Sequence, residues 1–322
     1  MRRKVNNISL RQLRAFQEVA RAQSFSGAAA KLFITRSALS ETIKQLELQL
    51  GVRLLDRTTR SVQLSTTGIE FYEEVNQVLS RLNNALQRLD DINSIDSGHV
   101  RIAGAPSMLH GIVIPSLSQL RRTHPNIKVT LHELGANGIS DHILQADVDF
   151  GVGALNEEHI TQLSCLPLLK DRFVVIAPVG HELLNHNKRG ISIADLGCYP
   201  YIGLTSDTLI GRVLSATSAA PENVREPIIR VSNTSLLCSA IENGLGVSIL
   251  TSLSMKYLKS RKIGSTLLSD PLIERDIQMF WRSGRSLSPV AKLVWNEIYL
   301  ETRKLKGEFG ITLCEAPNVA SP

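Results

Sequence analysis

Residues 33–51, FITRSALSETIKQLELQLG, set two chemistries side by side. Leu39, Ile43, Leu46 and Leu50 recur at steps of four, three and four, which gathers them on one face of a helix. Arg36, Ser37, Ser40, Glu41 and Lys44 fall on the other side, crowded toward the N-terminus, with Thr35 placed as N-cap and Gly51 as the residue past the end. Small hydroxyls and a guanidinium can hydrogen-bond to base edges, and the free N–H groups of a helix start can meet a phosphate. A solvated helix face would use the same residue types, so the surroundings decide.

Charge is the first of those surroundings. Residues 1–65 hold 12 Lys and Arg against 4 Asp and Glu, a net +8 that exceeds the +6 of the whole chain and leaves −2 for the other 257 residues. A compact basic module on a near-neutral body is the electrostatic footprint of a nucleic-acid binder, because Lys and Arg gain affinity by releasing counterions from phosphates. The upstream residues supply the scaffold. SLRQLRAFQEVARAQS puts Leu10, Leu13, Phe16, Val19 and Ala20 on one helical stripe. SFSGAAAKLF follows as a short helix with Ser24 or Ser26 as its cap, and Ala28, Ala29 and Leu32 allow close packing. With a tight turn at Phe33 and Ile34, this predicts a helix-turn-helix whose second helix, residues 35–50, enters the major groove. In GVRLLDRTTRSVQLSTTG, Val62 and Leu64 alternate with polar residues after a turn through Thr58, Thr59 and Arg60, which predicts a small hairpin. Packed beside the helices it forms a wing, with Arg53, Arg57 and Arg60 available to phosphates or the minor groove.

Residues 8 to about 95 resemble the N-terminal part of the LysR-type transcriptional regulators, through LRQLRAFQEVARAQSFSGAAAKL, ALSETIKQLELQLGVRLLDR and LSTTG. Many relatives carry Gln-Pro where this chain has Arg36 and Ser37, and often a basic residue at Glu41. Arg36 could read a guanine bidentately, and Glu41 could accept from cytosine or pair with Lys44. From Thr66 to about Asn93, Tyr72, Val75, Leu79, Leu82, Leu86 and Leu89 step by three and four, a seam suited to a partner helix. Twenty-eight helical residues would span about 42 Å. A helix packed on its own domain would show the same spacing; the resemblance implies a dimerising linker helix, and a homo-oligomer that reaches a tetramer.

DINSIDSGHVRIAG marks a boundary, beyond which strands and helices alternate. Strands are expected near 99–105, 127–134, 148–154, 172–177, 199–203, 228–232 and 246–250, with helices near 108–122, 138–146, 207–217 and 234–243. The pattern predicts α/β units around mainly parallel sheets in two lobes, hinged near Leu166–Lys170. The resemblance implies a periplasmic-binding-protein-like domain whose chain crosses back near 268–275, with a helix around Pro289–Leu305 rejoining the first lobe. The divisions are thus 1–65 (winged helix-turn-helix), 66–95 (linker helix), 96–305 (lobe 1 about 98–168 and 272–305, lobe 2 about 169–271) and a loose tail, 306–322.

Three strand-to-helix junctions carry hydroxyl or amide groups: APSM with Ser107, LTSD with Thr205 and Ser206, and VSNTS with Asn233. In an open α/β fold such ends gather at a cleft where helix N-termini suit a carboxylate or phosphate. Helix capping alone also explains these residues. The resemblance implies that Ser107 faces the effector pocket. A hydroxyl that some relatives carry at Ala136 is absent here, so no known effector transfers.

Other classes find less support. Gly244 and Gly246 in ENGLGVSIL follow a helix and precede a strand, the reverse of a phosphate loop. The eight His show no HxH or HExxH spacing, no GxSxG or P-loop occurs, and Cys165, Cys198, Cys238 and Cys314 form no CxxC pair. Neither catalytic centre, cofactor nor metal site is expected. No apolar run nears the roughly 18 residues of a membrane span, and the basic N-terminus leads into an amphipathic helix, which implies a cytoplasmic protein. The expected function is a regulator that binds double-stranded promoter DNA and responds to a small-molecule effector, an anion such as a carboxylate, with RNA polymerase as a further partner. A periplasmic-type binding protein would need export and no basic head; a constitutive DNA-organising protein would leave the cleft unused.

Overall fold

The computed structural model describes residues 8–57, 62–91, 98–154, 161–185, 190–258 and 260–315. The chain divides into two compact units, Met1–Leu89 and Asp90–Pro322. In the first, α1 (Leu10–Ala22) starts in a capping box: the Ser9 hydroxyl accepts from the Gln12 N–H, and the Gln12 side chain accepts from the Ser9 N–H. Its buried face runs through Gln12, Ala15, Phe16 and Val19, while Leu10 at its start lies in the open, contrary to the expected stripe. The face is centred on Phe16, whose ring meets Phe71 at 5.5 Å and Tyr72 at 6.3 Å. Helix α2 (Phe25–Lys31) is capped by Ser24, and Phe33, at φ +55°, turns the chain toward α3 (Arg36–Leu50). Thr35 Oγ1 accepts from the Ala38 N–H at 3.2 Å, and Gly51 ends the helix at φ +70°.

The hairpin pairs β1 (Leu55–Arg57) with β2 (Val62–Leu64), Leu55 opposite Leu64. One Glu47 oxygen accepts from the N–H groups of Leu54 and Leu55 at 2.9 and 3.1 Å, which fixes the wing to the end of α3. The LSTTG motif gains a physical reason as well. Ser65 Oγ donates to the Arg53 carbonyl at 2.8 Å and accepts from the Gly68 N–H at 2.9 Å, starting α4 (Thr66–Asp91). Gly68 must lack a side chain, since a Cβ there would sit 2.0 Å from the Leu54 carbonyl oxygen.

The seam of α4 is divided, which corrects the expectation of one continuous dimer surface. Val75 and Leu79 are buried in the core of their own unit, with Tyr72 packed against the same cluster. Gln17 Nε2 donates to Asn76 Oδ1 at 2.6 Å on this side. Beyond them the apolar face runs past the head: Leu82 is half-buried, and Val78 and Leu86 are exposed. The Leu89 side chain lies outside the described residues. Three-and-four spacing registers burial and is blind to whose atoms supply it.

The second unit opens with β3 (His99–Gly104), α5 (Pro106–Met108), a π-helical turn (Leu109–Val113) and α6 (Ile114–Thr123). Next come β4 (Lys128–Glu133), α7 (Ala136–Leu144), β5 (Phe150–Gly153) and the long β6 (Leu163–Pro178). The chain continues through β7 (Ile191–Ser192), β8 (Ile202–Leu204), α8 (Leu209–Ala216), α9 (Glu222–Arg225), β9 (Ile229–Val231) and α10 (Thr234–Glu242). It closes with β10 (Ser248–Thr251), α11 (Ser252–Leu258), β11 (Ile263–Asp270), β12 (Glu274–Arg282), α12 (Pro289–Arg303) and β13 (Ile311–Leu313).

Strands β4-β3-β5 are parallel, as are β8 and β9, but β12 joins β5 and β6 antiparallel, so the main sheet is mixed. Strand β6 pairs with β12 over Leu163–Arg172 and then with β10 and β11 over Phe173–Pro178. It therefore runs on as one strand through the expected hinge at Leu166–Lys170, with a shift of register against β12 at Leu168. Two cores flank it: one holds Ile102, Phe150, Met279 and Trp295, the other Phe173, Leu214, Ile241 and Leu250. The chain returns between them from β11 to β12, where the crossing was expected.

The loose tail is also corrected. Leu305 and Ile311 are buried, β13 pairs with β6, and Cys314 N–H donates to the Leu168 carbonyl at 2.9 Å. The first lobe thus extends at least to Glu315; residues 316–322 lie outside the described residues. The divided seam predicts two different phenotypes. Leu79→Ala lowers the stability of the head by about 2–5 kcal/mol at any protein concentration, whereas the effect of Leu86→Ala grows on dilution. Hydrogen exchange of α1 and α3 amides at two protein concentrations separates them.

Candidate nucleic-acid interface and ligand cleft

Burial of Leu39, Ile43 and Leu46 turns the opposite side of α3 outward. Thr35, Arg36, Ser37, Glu41 and Lys44 are exposed and Ser40 is half-exposed, so the six residues expected to touch DNA share one open surface. Thr35 Oγ1 and Ser37 Oγ lie 3.1 Å apart. Glu41 accepts from Gln45 Nε2 at 2.7 Å, one turn on, and no Glu41–Lys44 ion pair is found among the described residues. Arg53 is exposed where the chain leaves α3 for the wing. Arg57 ends β1 with its side chain outside the described residues, as is all of Arg60.

The second unit contains a cavity of about 670 Å³ between its lobes, within the usual range for small-molecule sites. Four helix starts converge on it: Ala105–Ser107 of α5, Gly135 and Ala136 of α7, Thr208–Ile210 of α8 and Asn233–Ser235 of α10. No side chain caps α5 or α7, which leaves first-turn N–H groups without that partner. Ser107 and Asn233 of the expected residues line the cavity; Thr205 and Ser206 do not. The helix after β8 begins later than expected, so Thr208 takes the cap position, accepting from the Gly211 N–H at 3.0 Å, and Asp207 reaches the wall. Asn233 is itself a cap, with Oδ1 accepting from the Leu236 N–H at 3.0 Å.

Ser107 is no cap. Ala105 holds that position, and the buried Ser107 hydroxyl accepts instead from an Arg275 nitrogen at 2.6 Å. The same nitrogen donates to Asp171 Oδ2 at 2.7 Å and to Thr251 Oγ1 at 3.0 Å, and Arg275 Nε donates to Asp171 Oδ2 at 3.0 Å. Asp171 is wholly buried, Arg275 keeps a tenth of its side chain exposed, and the other Asp171 oxygen accepts from the Leu253 N–H. Arg275, at the start of β12, thus joins the crossing strand β6, the first helix of one lobe and the end of β10 in the other.

His110 leaves the π-helical turn toward the cavity, a local widening of the helix often found at functional sites. Its ring stacks on Tyr257 with centroids 4.8 Å apart, and Nε2 lies 3.5 Å from Glu133, an ion pair when the imidazole is protonated. Burial pushes the Tyr257 hydroxyl above its ordinary range, so it is a neutral hydrogen-bonding group at physiological pH. Sequence reasoning missed Arg275, Asp171, His110, Glu133 and Tyr257, whose partners lie far away along the chain. Asp171 stands between Lys170 and Arg172, and Arg275 between Glu274 and Asp276, so neither is marked out locally.

Comparison with known proteins agrees with this architecture. Residues 10–69 match the bacterial regulatory helix-turn-helix protein, lysR family, model, and residues 94–300 match the LysR substrate binding domain model. An HTH-type transcriptional regulator of Shigella flexneri, YfeR, is 28% identical over 300 residues, covering 91% of this chain and 94% of its own. The HTH-type transcriptional regulator BenM of Acinetobacter baylyi is 31% identical over 189 residues, 59% of this chain and 62% of its own. In fold, full-length BenM has a TM-score of 0.55 at 24% identity, covering 94% of this chain and 99% of its own. Full-length CbnR complexed with its target DNA has a TM-score of 0.67 at 16% identity, over 92% and 99%. The chain belongs to the LysR family of transcriptional regulators, DNA-binding proteins that respond to small-molecule effectors.

The buried pair yields a test of what holds the cleft. Asp171→Asn removes the counter-charge of a nine-tenths-buried guanidinium and should cost about 3–5 kcal/mol. Calorimetry should show a lower melting temperature for the second unit, partly restored when Arg275→Gln is added.

Proposed function

We propose that this chain is a homo-oligomeric regulator whose α3 reads the major groove of promoter DNA and whose lobed unit binds a small carboxylate. Thr35, Arg36, Ser37, Ser40, Glu41 and Lys44 face bases and phosphates, while Arg53, Arg57 and Arg60 of the wing region contact the backbone or minor groove. Leu82, Leu86 and Leu89, the part of α4 past its own head's core, pair two chains, so that engagement of one head raises the local concentration of the other. Two such dimers make the tetramer. The chain works in the cytoplasm, where RNA polymerase is a further partner, and it regulates rather than catalyses.

The effector's carboxylate meets Ser107, Arg275 and the uncapped N-termini of α5 and α7. The observation that carries the DNA-binding reading is the polar N-terminal half of α3, exposed opposite the fully buried Leu39, Ile43 and Leu46. In support of the cleft, the Ser107 hydroxyl is held by Arg275 on the cavity wall instead of capping its helix.

Arg36→Ala or Ser40→Ala should weaken operator binding by about 1–3 kcal/mol for each lost base contact. Gel shifts at fixed salt on operator and scrambled DNA read the effect. An equal loss on both DNAs would show that these side chains touch phosphates alone.

A further inference from the structure

The charges around the cavity do not suit a bare anion. Among the described residues, Arg275 is the one Lys or Arg that lines the cavity, and its charge is already balanced by Asp171, which stands behind the wall and is fully buried. Glu133 and Asp207 also line the cavity, so among the described lining groups Arg275 and Asp171 cancel and two carboxylates remain beside the His110 imidazole. A carboxylate ligand is drawn to the Ser107 end by helix N-termini and the guanidinium. In the same cavity it meets Glu133 and Asp207, like charges that disfavour it.

Position sharpens the argument. Glu133 ends β4 in one lobe, Asp207 lies just after β8 in the other, and a Cβ built on Gly135 would sit 3.7 Å from the Asp207 carbonyl oxygen. The two residues therefore stand close along the chain to a place where the lobes come near each other. A cation between them satisfies a charge on each side and so favours lobes held together over lobes parted, which is the differential contact a switch requires. The His110 ring beside Glu133 is held flat against Tyr257 and lines the same cavity.

Building on the effector reading above, we infer that the effector is an amino acid or a close analogue. Its carboxylate sits at Ser107 and Arg275, and its cationic nitrogen at Glu133 and Asp207. The cavity of about 670 Å³ accommodates such a molecule.

The test uses the full chain and a panel of the common L-amino acids, each matched with the acid in which hydrogen replaces the ammonium. Binding is read by thermal shift and then calorimetry. At least one amino acid should raise the melting temperature, and its deaminated partner should bind at least about 10-fold more weakly, the lower end expected for a lost charge-assisted hydrogen bond. Glu133→Gln and Asp207→Asn, both at exposed positions, should each weaken the amino acid about 10-fold or more while leaving the weaker binding of the deaminated acid within about twofold. Ser107→Ala should weaken both compounds. Equal binding of the deaminated acid, or unchanged amino-acid affinity in both carboxylate variants, would overturn the zwitterion assignment. In that case a carboxylic acid lost on Ser107→Ala keeps the effector cleft standing. If no amino acid binds, the inference fails; if no carboxylic acid binds either, the carboxylate reading of the cleft fails with it.

Discussion

Asp171 and Arg275 form an ion pair that cannot be solvated as a pair, because one side chain is wholly buried and the other nearly so. Desolvating two charges is favourable only when geometry and further hydrogen bonds compensate. Here the Leu253 N–H and the Thr251 and Ser107 hydroxyls provide those bonds. The pair consequently sits where β6 and β12 pass from one lobe to the other, at the floor of the cleft. Strand pairing alone would let the lobes be built independently. The guanidinium makes the first helix of one lobe and the end of β10 in the other answer to the same charge.

The first unit solves a different problem. A three-helix head with a short hairpin has a small core, and it borrows the N-terminal half of α4 to enlarge it, with Val75, Leu79, Tyr72 and Phe71 closing over Phe16. That arrangement leaves α3 free to present polar groups, because its core contacts are confined to Leu39, Ile43 and Leu46 with Leu50 partly buried. It also fixes the direction in which α4 leaves its own head, since Ser65 donates its N–H to the Leu54 carbonyl and its hydroxyl to the Arg53 carbonyl, and Gly68 permits the close approach. Leu82 and Leu86 farther along α4 are then carried on a helix anchored at one end.

Much of this was legible in the sequence where the signal is local. Caps at Thr35 and Gly51, Ser24 as one of two candidate caps, the hairpin around Val62 and Leu64, and the strand-helix alternation from β3 to β5 and from β8 to α10 follow from short-range patterns and are found in the structure. Signals that depend on distant partners were lost. Ser107 could not be told from a cap, because its partner Arg275 lies 168 residues away. Thr205 and Ser206 were expected at a helix start that falls instead at Thr208, because helix starts shift by a few residues without changing the periodic pattern. The heptad seam was overextended for a related reason: Val75 and Leu79 have the spacing of an interface while packing at home. Strand β6 escaped recognition in its first half, where Pro167, Lys170 and Asp171 interrupt the apolar run, and the tail's β13 is too short to announce itself.

The account stands on a head that reads a particular DNA sequence instead of coating DNA at large. Footprinting of the full chain on genomic fragments, with an excess of unrelated competitor DNA, tests this most directly. Discrete protection over two related half-sites, persisting as competitor is added, is the predicted result. Uniform protection that follows protein concentration and vanishes with competitor would contradict it and assign the basic head to general DNA binding.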